Sequence, residues 1–183
     1  VGFKMSKEEN EAVMIAAKLM AASARTAPKA RGMDKIQITI VDGKEKDEIA
    51  EIMDKIGKEK NRATFIRDAK NVRNSQAIVI IGVKGNSSKG INCNACGYNC
   101  EEFDKNSKKK GECYNGPNCI MYAIDLGIAL GSAVKTASIL NIDNRIMFSI
   151  GVAAIKLGLI DSDIAFGIPL SISGKNIYFD RIS

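Results

Sequence analysis

Ala77-Ile78-Val79-Ile80-Ile81-Gly82-Val83 is a continuous apolar run, short, rich in β-branched residues and bounded by turn residues. A strand with one wet face alternates polar and apolar side chains; an unbroken apolar run this short reads as a strand buried on both faces. It is therefore expected at the centre of a sheet. Towards the N-terminus, Ile36, Ile38 and Ile40 alternate with polar residues and stop at Asp42-Gly43, which predicts a second strand. Between the two, Lys44–Lys58 carries Ile49, Ile52, Met53 and Ile56 at helical spacing, and Arg62–Asn71 suits a shorter helix. Ahead of both strands, Ser6 and Glu9 form a Ser-x-x-Glu capping box that opens a helix running to about Ala24. The segment Ser23–Lys29 breaks it.

Downstream of the central run, Gly85–Asn92 is a polar loop and Glu101–Glu112 a charged stretch, read as a solvated loop or frayed helix. Pro117 suits the first position of a helix reaching about Leu140. That helix is apolar nearly all round (Ile120, Met121, Ile124, Leu126, Ile128, Leu130), so it is expected to be buried. Gly127 and Gly131, four apart, leave room for another backbone or for a cofactor passing over them. Asp143 or Asn144 caps a further helix, Arg145–Leu157, which Gly158 stops. Ile164–Ser173 reads as a late strand; Pro169 cannot donate a ladder bond, which places it on an edge or at a bulge. Elements alternate without a repeat or a splitting linker. The expectation is a single α/β (α+β) domain over 1–183, a central sheet flanked by helices with a long buried central helix, and a cysteine-rich insertion over 85–119.

The 183 residues are 45% hydrophobic and 26% charged, the balance of a globular protein. No apolar run reaches the roughly 18 residues that span a bilayer. Val1–Lys4 is set aside ahead of Met5, and this N-terminus carries no signal-peptide core, so the cytoplasm is the expected location. Lysine plus arginine is 27 against 21 acids, a net +6 that favours acidic partners such as phosphates or acidic proteins. Few aromatics and no recognisable motif argue against nucleic acid. The absence of histidine excludes a Ser–His–Asp centre. Lys84–Gly90 lacks Walker spacing and reads as a flexible approach to the cysteine-rich loop. Asp125, alone in an apolar helix, calls for a cation or a backbone donor as partner.

All five cysteines fall within 93–119, as Cys93-x2-Cys96-x3-Cys100, then Cys113 and Cys119. So local a cluster points to metal or redox chemistry rather than a disulfide frame. Cys119, expected in the first turn of the long helix, is the preferred fourth ligand beside Cys93, Cys96 and Cys100, with Cys113 as the spare. Without histidine, four thiolates suit a [4Fe–4S] cluster or an all-cysteine zinc site; three bunched cysteines and one distant favour the cluster.

Asn92–Cys100, Gly116-Pro117-Asn118-Cys119, Asp125–Ala133, Ala24–Lys29 and Gly167–Asn176 together resemble the prokaryotic family described as uncharacterised ferredoxin-domain proteins (domain of unknown function 2148). The resemblance spans nearly the whole chain and implies an iron–sulfur cluster on Cys93, Cys96, Cys100 and Cys119, with no stated reaction. A fainter similarity is to flavin-dependent nitroreductases, on the order of elements and on Arg25, Thr26 and Lys29, then Gly167, Pro169 and Lys175. It implies a nitroreductase-like fold, FMN held by those six residues, and a homodimer. Together these imply a redox protein, an oxidoreductase or an electron carrier with a redox partner protein. The other reading is a non-enzymatic protein whose metal site staples the 93–119 loop.

Overall fold

Every residue of β2 (Ala77–Val83) is buried, and its side chains serve two different cores. Ala77, Val79, Ile81 and Val83 enter one, Ile78 and Ile80 the other. This period-two division is why the run contains no polar residue. The computed structural model describes residues 5–179, so Val1–Lys4 lie outside it. The other elements are α1 (Lys7–Thr26), β1 (Ile36–Asp42), α2 (Gly43–Glu59), α3 (Ala63–Arg73), α4 (Cys100–Lys105), α5 (Ile120–Ile139), β3 (Asp143–Asn144), α6 (Phe148–Lys156) and β4 (Ile164–Ser171).

The sheet has the order β1-β2-β4-β3 and is antiparallel throughout. Helices α1 and α5 cover one face, packing Val13, Ala17, Met20 and Ala24 against Leu126, Ala129, Ala133 and Ala137. Helices α2, α3 and α6 cover the other. The result is three layers with the sheet in the middle. The capping box of α1 forms as expected: Glu9 N donates to Ser6 Oγ at 3.1 Å and Ser6 N to Glu9 Oε2 at 2.7 Å.

Three expectations are corrected. Pro169 is neither at an edge nor bulged, because β4 lies between β2 and β3. Gly167 exchanges both backbone bonds with Met147 (2.8 and 3.0 Å), so alternate residues 167, 169 and 171 turn their backbone groups to the β3 side. There β3 pairs only with Leu170 and Ser171, and nothing in that ladder asks Pro169 for a donor. The segment after Asn141 is not helical at once: Asp143–Asn144 joins the sheet and α6 starts at Phe148. Finally, α5 begins at Ile120 with Cys119 as its N-cap, and it is buried on one side only. Ile124 and Ile128 are exposed, and a methyl group at Gly127 or Gly131 would meet open space. By length and composition this helix could cross a bilayer; its inward side is occupied by α1 and the sheet.

Candidate functional site

The last turn of α1 carries Arg25 and Thr26, and the chain then enters a short 3-10 turn over Ala30–Gly32. Lys29 is drawn back over the end of the helix. Its buried Nζ donates to the carbonyls of Ala24 (3.3 Å) and Arg25, which satisfies acceptors left without intrahelical donors and offsets the negative helix end. Thr26 Oγ1 donates to Ala22 O at 3.1 Å. Half-exposed Arg25 pairs with Asp34, Nη1 to Oδ2 at 2.7 Å. Burial works to raise the Asp34 pKa, but the Arg25 hydrogen bond and the Ile36 N–H outweigh it and hold the carboxyl below its ordinary value.

Below this turn lies an ion pair that joins two loops. Asp125 of α5 accepts from Ala30 N at 3.0 Å through Oδ1 and from Lys89 Nζ through Oδ2. Both side chains are almost wholly buried, at 1% and 3% exposure. Burial pushes the Lys89 ammonium down from its ordinary pKa, with Cys119 and Asp34 opposing that shift. Lys89 and Lys35 stand 4.4 and 4.8 Å from the centre of the Tyr122 ring, whose buried hydroxyl has no hydrogen-bond partner among the described residues. Burial raises the Tyr122 pKa, and Cys119 and Asp104 add to the shift. Arg31 Nη1 donates to the carbonyls of Lys89 (2.9 Å) and Gly90 (3.1 Å). Arg25, Lys29, Arg31, Lys35 and Lys89 thus gather around one end of α1, with Asp34 and Asp125 among them.

Lys84–Gly90, expected to be a flexible approach, is instead tied down along its length. Asn86 N donates to Asp163 Oδ2 (3.0 Å), Lys35 Nζ to Ser87 Oγ (2.5 Å), and Ser88 N and Oγ to Asp104 (2.6 and 2.7 Å). Neither Lys89 nor Arg31, Lys35 and Tyr122 was expected in a site; the one signal was Asp125, an acid in an apolar helix that could not go unpaired.

Of the six residues expected to hold flavin, Arg25, Thr26 and Lys29 lie together. Gly167 and Pro169 are buried inside the sheet. A Cβ at Gly167 would overlap the side chain of Ile150, so that glycine answers to packing against α6. Lys175 borders a hollow with Met5 and Glu9, where α1 starts. With 20 residues, α1 is about 30 Å long, so Lys175 and Arg25 occupy opposite ends of the chain's own fold.

Cys93, Cys96, Cys100 and Cys119 line one narrow cavity together with Lys89. Yet among the described residues no group of three or more cysteine, aspartate or glutamate side chains is placed to hold a metal ion. This overturns the expected [4Fe–4S] cluster. The physical reason is that the sulfurs are engaged separately, whereas a four-thiolate site needs all of them about 2.3 Å from one centre. Cys100 Sγ accepts from Asn92 N at 3.2 Å while Asn92 Oδ1 accepts from Cys100 N at 2.9 Å. Cys96 Sγ faces Tyr98 O at 3.7 Å, Cys93 is exposed, and Cys119 is buried at the N-cap of α5. Cys113 sits in the other core, where Arg62 Nη1 donates to its sulfur at 3.2 Å.

Residues 115–181 match the model of a family described as "uncharacterized protein containing a ferredoxin domain" (DUF2148). An uncharacterised protein of Archaeoglobus fulgidus is 56% identical over 174 residues, covering 94% of each chain. The chain belongs to this family. In this DUF2148 protein the matched segment contains Cys119 but not Cys93, Cys96 or Cys100. Among solved structures, a Bacteroides thetaiotaomicron protein described as an NADH dehydrogenase/NAD(P)H nitroreductase superposes with a TM-score of 0.56 at 11% identity, over 96% of this chain and 79% of that one. A Desulfovibrio desulfuricans protein described as a nitroreductase, in complex with FMN, gives 0.54 at 12% identity over the same shares. At this identity the likeness is one of fold: the DUF2148 chain is an α+β domain of nitroreductase type.

Proposed function

We propose that this DUF2148 protein is a cytoplasmic, flavin-linked oxidoreductase that holds the phosphate of FMN at the C-terminal end of α1. The observation that carries the reading is the gathering of Arg25, Lys29, Arg31, Lys35 and Lys89 at that end, within a fold shared with an FMN-bound protein. The residues fit a phosphate. Arg25 offers a planar fork once it releases Asp34, Thr26 adds an exposed hydroxyl, and Lys29 has already masked the helix carbonyls that would repel an anion. Asp125 fixes the turn through Ala30 N, so the donors are held in place before a ligand arrives. Bound FMN would supply two-electron hydride chemistry. Nitroreductase-like folding alone does not fix the substrate.

Titration of the protein with FMN, read by quenching of flavin fluorescence, tests the reading. Arg25→Ala removes a charge-assisted contact of roughly 1.5–3 kcal/mol, so affinity should fall about 10- to 100-fold. No saturable binding to the unaltered protein, or equal affinity in the variant, would sink it.

A second copy of the chain is the expected partner. Helices α1 and α5 lie side by side on one sheet face, and their outward sides expose Ile15, Leu19, Ile124 and Ile128 around the open Gly127 and Gly131. An apolar surface of this kind favours self-association. Sedimentation velocity should show a dimer, and Ile128→Asp should return it to the monomer. Gly127→Ala gives an independent reading. On a bare helix it stabilises by up to about 1 kcal/mol, whereas under a closely packed partner it weakens association. A monomer at every concentration tested would remove the proposal.

A further inference from the structure

We propose that Cys93 and Cys96 form a reversible dithiol/disulfide couple, a second redox group independent of any flavin. Four thiols line one cavity without converging on a common centre, which leaves them the chemistry of sulfur pairs. The geometry selects one pair. Asn94 and Gly97 both adopt positive φ (54° and 86°), and Gly97 N donates to Asn94 O at 2.9 Å, closing a tight turn just after Cys93 that contains Cys96. Both side chains therefore reach the same cavity across a Cys-x-x-Cys spacing. Cys93 is exposed and Cys96 half-buried, the arrangement of an attacking thiol and a resolving one. Cys119 is held back by burial at the N-cap of α5 and Cys113 by its place beside Arg62 against the other core, while Cys100, whose thiolate the Asn92 N–H favours, lies outside the Asn94–Gly97 turn that brings Cys96 back towards Cys93.

The co-reactant is a small-molecule disulfide. Cys93 sulfur attacks one of its sulfurs, breaking the S–S bond and expelling one thiolate. Cys96 sulfur then attacks Cys93 sulfur in the mixed disulfide, forming the internal bond and expelling the second thiolate. The protein pair loses two electrons and two protons, and the reagent leaves as two thiols.

The test uses hydroxyethyl disulfide on the reduced full chain, followed by intact-mass and peptide mapping. The unaltered protein should lose two hydrogens, retain no adduct and link Cys93 to Cys96. Cys96→Ser should retain one mercaptoethanol on Cys93, because nothing resolves it, while Cys93→Ser should lose both outcomes. Cys113→Ser should behave as the unaltered chain. Circular dichroism of each variant separates loss of chemistry from loss of fold. A link between other cysteines, stable adducts on the unaltered protein, or iron or zinc bound stoichiometrically to anoxically purified protein would overturn the proposal. None of these outcomes depends on FMN binding, so this inference and the flavin reading fail separately.

Discussion

Replacing Asp125 with alanine is expected to cost about 3–5 kcal/mol of folding stability, because it leaves the Lys89 ammonium buried and unpaired. The pair is nearly inaccessible, and what remains for the charge is the Tyr122 ring, 4.4 Å from Nζ, with Cys119 and Asp34 further off. Cation–π attraction of roughly 0.5–2 kcal/mol does not replace a buried carboxylate. The variant also frees Ala30 N, so the turn carrying Lys29 and the loop carrying Lys89 should both loosen. Urea denaturation reads the first effect, and faster amide exchange at Ala30 reads the second. A double variant, Asp125→Leu with Lys89→Met, removes both charges and should recover most of the loss, since an apolar pair of similar size carries no unpaired ion. If Asp125→Ala costs under about 1 kcal/mol, Lys89 reaches water and the strut is not what holds the two loops.

This pair also shows where sequence stops being informative. A strand announces itself through residues that touch their sequence neighbours, and Ala77–Val83 and Ile36–Asp42 were legible for that reason. The capping box over Ser6 and Glu9 is equally local. Asp125 could be read as needing a partner, but the partner lies 36 residues away in a loop whose composition suggests only flexibility. The same limit applies to the cysteines. Spacing suggested four of them on one metal centre; they line one cavity instead, because Asn92 takes up Cys100 and Cys119 closes a helix start, neither of which spacing records. Helix α5 failed in the opposite sense: an apolar composition all round implied burial all round, whereas among the described residues nothing covers the outer side at Gly127 and Gly131. Composition records that an apolar face must be covered, not whether the cover comes from the same chain. That Arg25, Thr26 and Lys29 lie together follows from their closeness in sequence, whereas the distance of Lys175 from them depends on the length of α1.

Gly151→Ala should be among the most damaging single methyl additions in the protein. Gly151 lies in α6, and a Cβ there would overlap the carbonyl of Ala165 in β4 and crowd Phe166 N. The obstacle is backbone, so no rotamer change can relieve it. Either α6 moves off the sheet or β4 bends. Two effects oppose each other. Alanine gains about 1 kcal/mol over glycine in a helix interior, and overpacking against fixed neighbours costs about 3 kcal/mol or more. The second wins, because displacing α6 also disturbs Ile150, Val152 and Ala153, all buried in the core on that sheet face. Ser149 and its 2.6 Å bond to Asp68 of α3 would move with them. The expected result is a net loss of roughly 2 kcal/mol or more in urea denaturation, with unchanged cavity chemistry at Cys93 and Cys96 on the far side of the sheet. A Gly151→Ala protein as stable as the parent would mean that α6 stands far enough from β4 to admit a methyl group, and the three-layer packing of this face would have to be redrawn.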